Sequence, residues 1–243
     1  MFQGFSGETA DFFWGLKFNN DRTWFLAHKE AFERAVNGPF KVLAADTTER
    51  MQARFPAMDL QLHVARIYRD ARRTYGKGPY KESLWFTIQP GARHAVGPVF
   101  WFDIDGTSWS CGAGTWESSP ELMAAWRKLI DADPARFLKV VDDFEALGPY
   151  RRWGEAYKRP KADRGERLNP WYNLKHVSVG YEHAFGSELY SPNLPDRLAE
   201  TYAALMPMYL FFREAFQNYQ HEQAEQNALA LSGARAARPG EEW

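Results

Sequence analysis

The chain has 243 residues and a formal net charge of −1, and 45% of its residues are hydrophobic while 25% are charged. These values are typical of a folded protein with one sizeable core, and they exclude global disorder. The single cysteine, Cys111, excludes an intrachain disulfide, and no run approaches the roughly 18 apolar residues that span a bilayer.

Apolar residues at helical spacing dominate the first part of the chain. They predict a first helix over residues 8–19 and a second helix that Asp21 caps at its N-terminus. The second helix should end at residues 37–39, because glycine suits a C-terminal cap and proline cannot continue a helix. A third helix is predicted from residue 40 to about residue 55, where Pro56 stops it.

The period then changes to the alternation of β-strands. Four strands are predicted, at residues 62–69, 84–88, 99–104 and 108–111. Asp105 and Gly106 separate the last two, and this dipeptide favours a tight hairpin turn because it tolerates positive φ. Consecutive strands at this spacing indicate an antiparallel meander.

Helical patterns return in the second half. Ser119 and Pro120 open one helix, and Asp133 opens another that reaches about residue 147. The remaining predictions are a basic loop over residues 148–170, a strand over 174–181, and a helix over 195–219 with a kink at Pro207.

No internal repeat or low-complexity linker divides the chain. The sequence therefore predicts one α+β domain over residues 1–220, in which a mainly antiparallel sheet packs with N-terminal and C-terminal helices. Residues 221–243 lose apolar density and are predicted to form a loosely structured tail.

The first residues do not combine a basic segment with a continuous apolar run, so they lack the pattern of a signal peptide. Together with the absence of a membrane-spanning run, this pattern predicts a cytoplasmic protein that has no membrane partner.

Positive charge is gathered in two places, although the whole chain is almost neutral. Residues 66–81 contain six basic residues and one acidic residue, and residues 151–175 contain eight basic residues and three acidic ones. Such clusters attract anions locally. Three tyrosines, Tyr68, Tyr75 and Tyr80, alternate with the cations of the first cluster.

The first cluster predicts a site for a small anionic ligand that carries phosphate or carboxylate, because guanidinium groups bind such oxygens in a bidentate way. Asp70 would orient an arginine, and Tyr80 would line the pocket. The candidate residues are Arg66, Tyr68, Arg69, Asp70, Arg72, Lys77, Tyr80 and Lys81, with Lys158, Arg159 and Lys161 from the second cluster. In the predicted strand, Arg66 and Tyr68 share one face and Arg69 lies on the other.

Three other interpretations fit the same residues. The charges could lie solvated on an exposed hairpin. A continuous basic stripe with aromatics would instead suit nucleic acid, and the many aromatics could serve protein interaction or structure. Trp153, Trp171 and Tyr172, beside the second cluster, could stack on a ligand ring or pack in the core. None of these patterns decides whether the protein is an enzyme.

Other motifs are less specific. Asp103 and Asp105 share a strand face and could hold a cation, although a turn role for Asp105 is the simpler interpretation. His176 and His183 do not match the spacing of a zinc site. Gly112 and Gly114 lack the rest of a dinucleotide fingerprint, and Cys111 is expected in the core. The sequence therefore predicts no cofactor and no metal.

A longer pattern unites the first basic cluster. Arg66, Tyr68, Arg69, Asp70 and Arg72 are followed by Lys77, Pro79, Tyr80 and Lys81. This pattern resembles the signature of a bacterial and fungal family catalogued as domain of unknown function 2461. The N-terminal Phe-Ser-Gly, the segment 19–25 and the segment 158–161 resemble parts of the same family in the same order.

The resemblance covers about residues 2–215. The chain departs from the family pattern at Arg73, where the family usually has an aromatic residue, and at Ala162, where it usually has glycine. The resemblance implies that residues 66–81 are functional, and it implies no particular activity.

Overall fold

The computed structural model describes residues 1–73, 76–91, 97–115 and 118–236. The chain forms an α+β domain, which confirms the predicted fold class. Its antiparallel sheet has the order β1-β2-β3-β4-β6-β5, so the first four strands form the predicted meander. The strands are β1 (Leu60–Val64), β2 (Leu84–Pro90), β3 (Val99–Ile104), β4 (Ser108–Gly114), β5 (Arg151–Trp153) and β6 (Ser178–Ala184).

Helices precede and follow the meander. The helices are α1 (Gly7–Phe18), α2 (Arg22–Ala27), α3 (Lys29–Phe32), α4 (Gly38–Arg54), α5 (Pro120–Ala132), α6 (Pro134–Glu145), α7 (Asn169–Tyr172), α8 (Leu194–Ala204) and α9 (Met206–Ala236). Ser119 and Asp133 accept backbone hydrogen bonds as the N-caps of α5 and α6, as predicted. No helix among the ranges described combines the length and the apolar content that crossing a bilayer requires.

The N-terminal helices differ from the prediction in the second helix, which is divided where α2 ends at Ala27 and α3 begins at Lys29. Asp21 caps α2 by accepting a hydrogen bond from the Trp24 amide at 2.9 Å, as predicted. The predicted helix end at residues 37–39 is wrong, because a π-helical turn over Glu33–Asn37 leads directly into α4. Pro39 lies in the first turn of α4, and the Ala35 carbonyl four residues earlier accepts from the Thr9 hydroxyl at 2.7 Å in place of the N–H that proline lacks.

Strand alternation gives the sheet one face that packs on the helices. Phe86, Phe100 and Phe102 point into the core, where they contact Phe40 of α4 and Tyr202 and Tyr209 of α8 and α9. The opposite face carries the other half of each strand, and it includes Trp85, Trp101 and Asp103. Burial of the aromatic face is the main apolar contribution to stability.

The first strand is shorter than predicted. β1 ends at Val64 instead of continuing to residue 69. Ala65 bonds to Trp85 and Ile67 bonds to Lys81, so one residue between these pairs on the first chain segment, Arg66, faces three on the second, residues 82–84. These two extra residues interrupt the ladder, and only an isolated bridge between Tyr68 and Tyr80 continues it.

Two elements near the end of the sheet also depart from the prediction. The predicted loop over 148–170 contains β5, which has three residues and is therefore too short to show a period of two. β6 begins at Ser178, later than the predicted start at residue 174.

The last predicted helix is two helices that meet at Leu205, and Pro207 lies in the first turn of α9, where proline is tolerated.

Candidate functional site

Residues 65–81 form an irregular antiparallel extension of the β1–β2 pair, which we name the basic hairpin. The Arg69 amide donates to the Pro79 carbonyl at 2.8 Å, and the Lys81 amide donates to the Ile67 carbonyl at 2.7 Å. Thr74 and Tyr75 lie outside the described residues. Backbone pairing therefore fixes the base of the hairpin, where Lys81 lies opposite Ile67, the residue after Arg66.

Two of the predicted ligand residues hold the hairpin in place. The Arg69 guanidinium donates to the carbonyl oxygens of Gly78 at 3.1 Å and Tyr80 at 3.0 Å. The Tyr80 ring is 4% exposed and stacks on Phe25 at a centroid distance of 4.0 Å. Both side chains thus stabilise the hairpin, and Arg69 still contributes its positive charge to the surface.

Asn20 joins the segment 19–25 to the basic hairpin. Its side-chain amide donates to the Tyr80 carbonyl at 3.0 Å, and its Oδ1 accepts from the Tyr80 amide at 3.0 Å. A Cβ on Gly78 would lie 2.4 Å from Oδ1 of Asn20, so only glycine fits there. The turn between α1 and α2 therefore docks the hairpin on the domain.

Three cations meet at the base of the hairpin. The Lys81 ammonium donates to the Arg66 carbonyl at 2.9 Å and lies 5.6 Å from the Trp85 ring centroid. Burial, and then the charges of Arg66 and Arg69, lower the pKa of Lys81. Within the described ranges, none of the three cations pairs with a carboxylate. This part of the surface therefore carries uncompensated positive charge.

The other predicted residues of the hairpin lie farther out. Asp70 accepts from Arg72 at 2.8 Å, and the Arg72 side chain is 88% exposed. Lys77 is exposed, and Tyr68 is 55% exposed while its ring borders Tyr80. Asp70 therefore pairs with an arginine, as predicted. The pair that it forms with Arg72 is exposed, and neither residue is one of the three cations at the base of the hairpin.

The second basic segment does not join the first. Lys158, Arg159 and Lys161 are exposed, and the Lys161 ammonium lies 4.4 Å from the Tyr157 ring. The basic hairpin enters β2 at the end of the sheet where β6 finishes. The second segment leaves β5 after Trp153, which pairs with Ser178 at the start of β6. Three strands separate β2 from β5, so the segments occupy opposite corners of the sheet.

A cleft that the sequence did not predict as a site lies on the sheet face away from the helices. It has a volume of about 370 Å³. Its lining residues are Trp101, Asp103, Asp105, Ser108, Ser110, Thr115, Trp153, His176, Ser178 and Glu182. The register places Asp103, Ser110 and Glu182 in one row across β3, β4 and β6.

The cleft contains carboxyl groups in different environments. Burial raises the pKa of Asp103 to about 6, a hydrogen bond from Ser83 opposes this shift, and the charge of Asp105 adds to it. Glu182 pairs with Arg151 at 2.5 Å and accepts from Ser108 at 3.2 Å. Asp105 accepts from the amides of Thr107 and Ser108, so its predicted turn role is confirmed.

The sequence offered further candidates for a metal site, a reactive thiol and an aromatic stacking surface. No group of three or more His, Cys, Asp or Glu side chains suited to a metal ion occurs among the residues with described positions. Cys111 is buried in the core, and this burial raises the pKa of its thiol. Trp171 and Tyr172 are also buried, whereas Trp153 lines the cleft. One pattern in the sequence could have indicated the cleft. Trp101 and Asp103 share one face of β3, and Ser108 and Ser110 share one face of β4.

The sequence was compared with models of protein families. A family model described as "Conserved hypothetical protein (DUF2461)" matches residues 8–211. The matched range contains the basic hairpin, the cleft and the whole sheet. No curated protein matches the sequence.

Proposed function

We propose that this chain, which belongs to the DUF2461 family of conserved hypothetical proteins, binds a small anionic ligand at the base of the basic hairpin. The ligand carries phosphate or carboxylate, and Arg66 and Lys81 bind it. One observation carries the proposal: three cations lie together there without a carboxylate partner among the described residues. An anion relieves their mutual repulsion and gains charge-assisted hydrogen bonds.

The residues take different parts in this proposal. Arg66 is exposed, and its guanidinium has no partner in the ranges that the structure describes, so its donors face solvent. Lys81 supplies a partly buried ammonium, and Arg69 supplies charge while its guanidinium binds backbone carbonyls. Tyr68, which is 55% exposed, borders this surface.

Phosphate titration tests the proposal. Inorganic phosphate is titrated into the protein and followed by the backbone amide signals of the hairpin in NMR spectra. Arg66→Met should weaken binding about tenfold, because one charge-assisted hydrogen bond contributes roughly 1.5 kcal/mol or more. Arg72→Met is the matched control, since it removes the same charge from the same hairpin but from a side chain paired with Asp70. Equal weakening by both variants would show general attraction and contradict a site.

The nucleic-acid alternative has less support. It requires a positive stripe that joins both basic segments, and the register places these segments at opposite corners of the sheet. Filter binding of single-stranded oligonucleotides at increasing salt tests this alternative, because backbone binding weakens steeply with salt. If the hairpin instead binds a small anion, oligonucleotides should bind weakly. Lys158→Met should then leave this weak binding unchanged, because Lys158 lies in the second basic segment.

A further inference from the structure

We propose that the cleft lined by Trp101 and Trp153 is a carbohydrate-binding site that takes an uncharged sugar of one or two units. This site is separate from the basic hairpin and does not depend on anion binding there. The volume of about 370 Å³ lies at the lower end of small-molecule sites, which span about 300 to 1,000 Å³.

Two indole rings give the cleft its apolar surface. Their centroids lie 5.7 Å apart at an interplanar angle of 55°, so the rings contact each other and form one wall of the cleft. Trp101 is 6% exposed, so the half-buried Trp153 supplies most of the aromatic surface that a ligand can reach. Trp101 comes from β3 and Trp153 from β5, and β4 and β6 lie between these strands. An aromatic wall of this kind is flat and apolar, and the C–H faces of a sugar ring that could stack on it are flat and apolar as well.

A pair of glycines makes this arrangement of rings feasible. Gly112 of β4 and Gly180 of β6 are cross-strand partners. A Cβ on Gly112 would lie 2.9 Å from Cζ2 of Trp101 and 2.1 Å from the Val179 carbonyl oxygen. The Trp101 indole therefore lies over backbone that carries no side chain, and the cleft retains its depth beside it.

Polar groups are distributed along the cleft instead of being concentrated at one point. Asp103, Ser110 and Glu182 span two strand spacings, about 10 Å. Ser178 precedes Glu182 by four residues on β6, which corresponds to about 13 Å. A ligand with several separated hydroxyl groups matches this spread, whereas a single ammonium group would use only one part of it.

Several of these polar groups are available for a ligand. The hydroxyls of Ser110 and Ser178 and the ring of His176 form no hydrogen bond within the parts of the chain that the structure describes. Asp103 is a carboxyl group with Ser83 as its hydrogen-bond donor, and burial raises its pKa to about 6. Sugar hydroxyls donate to carboxylates and exchange hydrogen bonds with serines, so they satisfy all of these groups without a charge.

The experiment titrates the full chain with glucose, galactose, N-acetylglucosamine, maltose and cellobiose. It follows the side-chain indole N–H signals of uniformly ¹⁵N-labelled protein, with Trp153→Phe used to assign the Trp153 signal. We expect at least one sugar to shift the Trp153 signal at millimolar concentration. Trp153→Ala should weaken that sugar about tenfold, whereas Tyr190→Ala, which truncates an exposed aromatic outside the cleft, should not.

A second variant keeps the test decisive if Trp153→Ala does not fold. Ser110→Ala removes one hydroxyl and no aromatic surface, and it should weaken the same sugar severalfold. The proposal is overturned if no sugar shifts the Trp153 signal, or if the folded variants bind as well as the original chain. It is also overturned if benzylammonium shifts this signal and the sugars do not, because the cleft would then be a cation site.

Discussion

The Lys81 ammonium donates to the backbone carbonyl of Arg66 at 2.9 Å, so Lys81 and Arg66 are close neighbours at the base of the hairpin. Backbone pairing around them keeps them close, because the Lys81 amide donates to the Ile67 carbonyl. Like charges repel, and the charges of Arg66 and Arg69 add to burial in lowering the pKa of Lys81. The domain therefore maintains an arrangement that an anion would stabilise.

The first prediction concerns Asn20, which makes two hydrogen bonds to the backbone of Tyr80. Asn20→Ala should lower the free energy of unfolding by about 2 kcal/mol, because two hydrogen bonds are lost and the Tyr80 amide loses its partner. Urea unfolding measures the change, and hydrogen exchange of the Tyr80 amide should become faster.

Asn19→Ala is the control for this prediction. Asn19 is a neighbouring asparagine whose side chain donates to the Gly15 carbonyl on the exposed surface. Its loss should cost less than half as much and leave exchange at Tyr80 unchanged. Equal effects of the two variants would show that Asn20 does not dock the hairpin specifically.

The second prediction concerns Asp103, whose pKa is raised to about 6 from an ordinary value of 3.8. The folded protein binds this proton more tightly than the unfolded chain, so Asp103 lowers stability as the pH rises from about 4 to about 6. Asp103→Asn should therefore raise the free energy of unfolding by on the order of 2 kcal/mol at neutral pH, and by much less near pH 4.

Urea unfolding at several pH values checks the effect of Asp103. Asp143→Asn is the control, since Asp143 is an exposed partner of Lys139. The difference in free energy of unfolding between Asp103→Asn and the original chain should change across this pH range. A constant difference would show that burial does not raise the pKa of Asp103.

The third prediction concerns Gly112, where an added Cβ would lie 2.1 Å from the Val179 carbonyl oxygen. Backbone on the neighbouring strand cannot move away without breaking the ladder, so Gly112→Ala should cost about 2 kcal/mol or more. It should also displace the Trp101 indole. Gly7→Ala is the control, because no atom lies within 4 Å of a Cβ at that position. Similar unfolding midpoints for the two variants would contradict the role of the glycine pair.

The sequence predicted the elements with long, clear patterns. The meander, its Asp105 turn and the caps of α2, α5 and α6 follow from alternation and from side chains that accept local amides. It could not predict that Pro39 begins α4, because the same residue either ends a helix or occupies a first turn. The three residues of β5 are too few to carry a periodic signal.

For the site, the sequence indicated the residues of the basic hairpin but not what each of them contacts, and it did not show that the second basic segment lies at the opposite corner of the sheet. Charge and resemblance both indicated residues 66–81, yet neither distinguished Arg69, which binds carbonyls, from Arg66, which faces solvent. Contacts between distant segments decide this difference. The cleft was missed for a similar reason, since Trp153 and Trp101 meet only when the strands are ordered in the sheet.

The central claim is that the base of the hairpin binds an anion through Lys81. The most direct test measures the pKa of the Lys81 ammonium by NMR in a lysine-labelled sample, with and without inorganic phosphate. We expect a Lys81 pKa below that of ordinary lysines without phosphate and a higher Lys81 pKa with phosphate, whereas the side-chain signal of exposed Lys139 should not respond to phosphate. A Lys81 pKa that does not change with phosphate would contradict the claim.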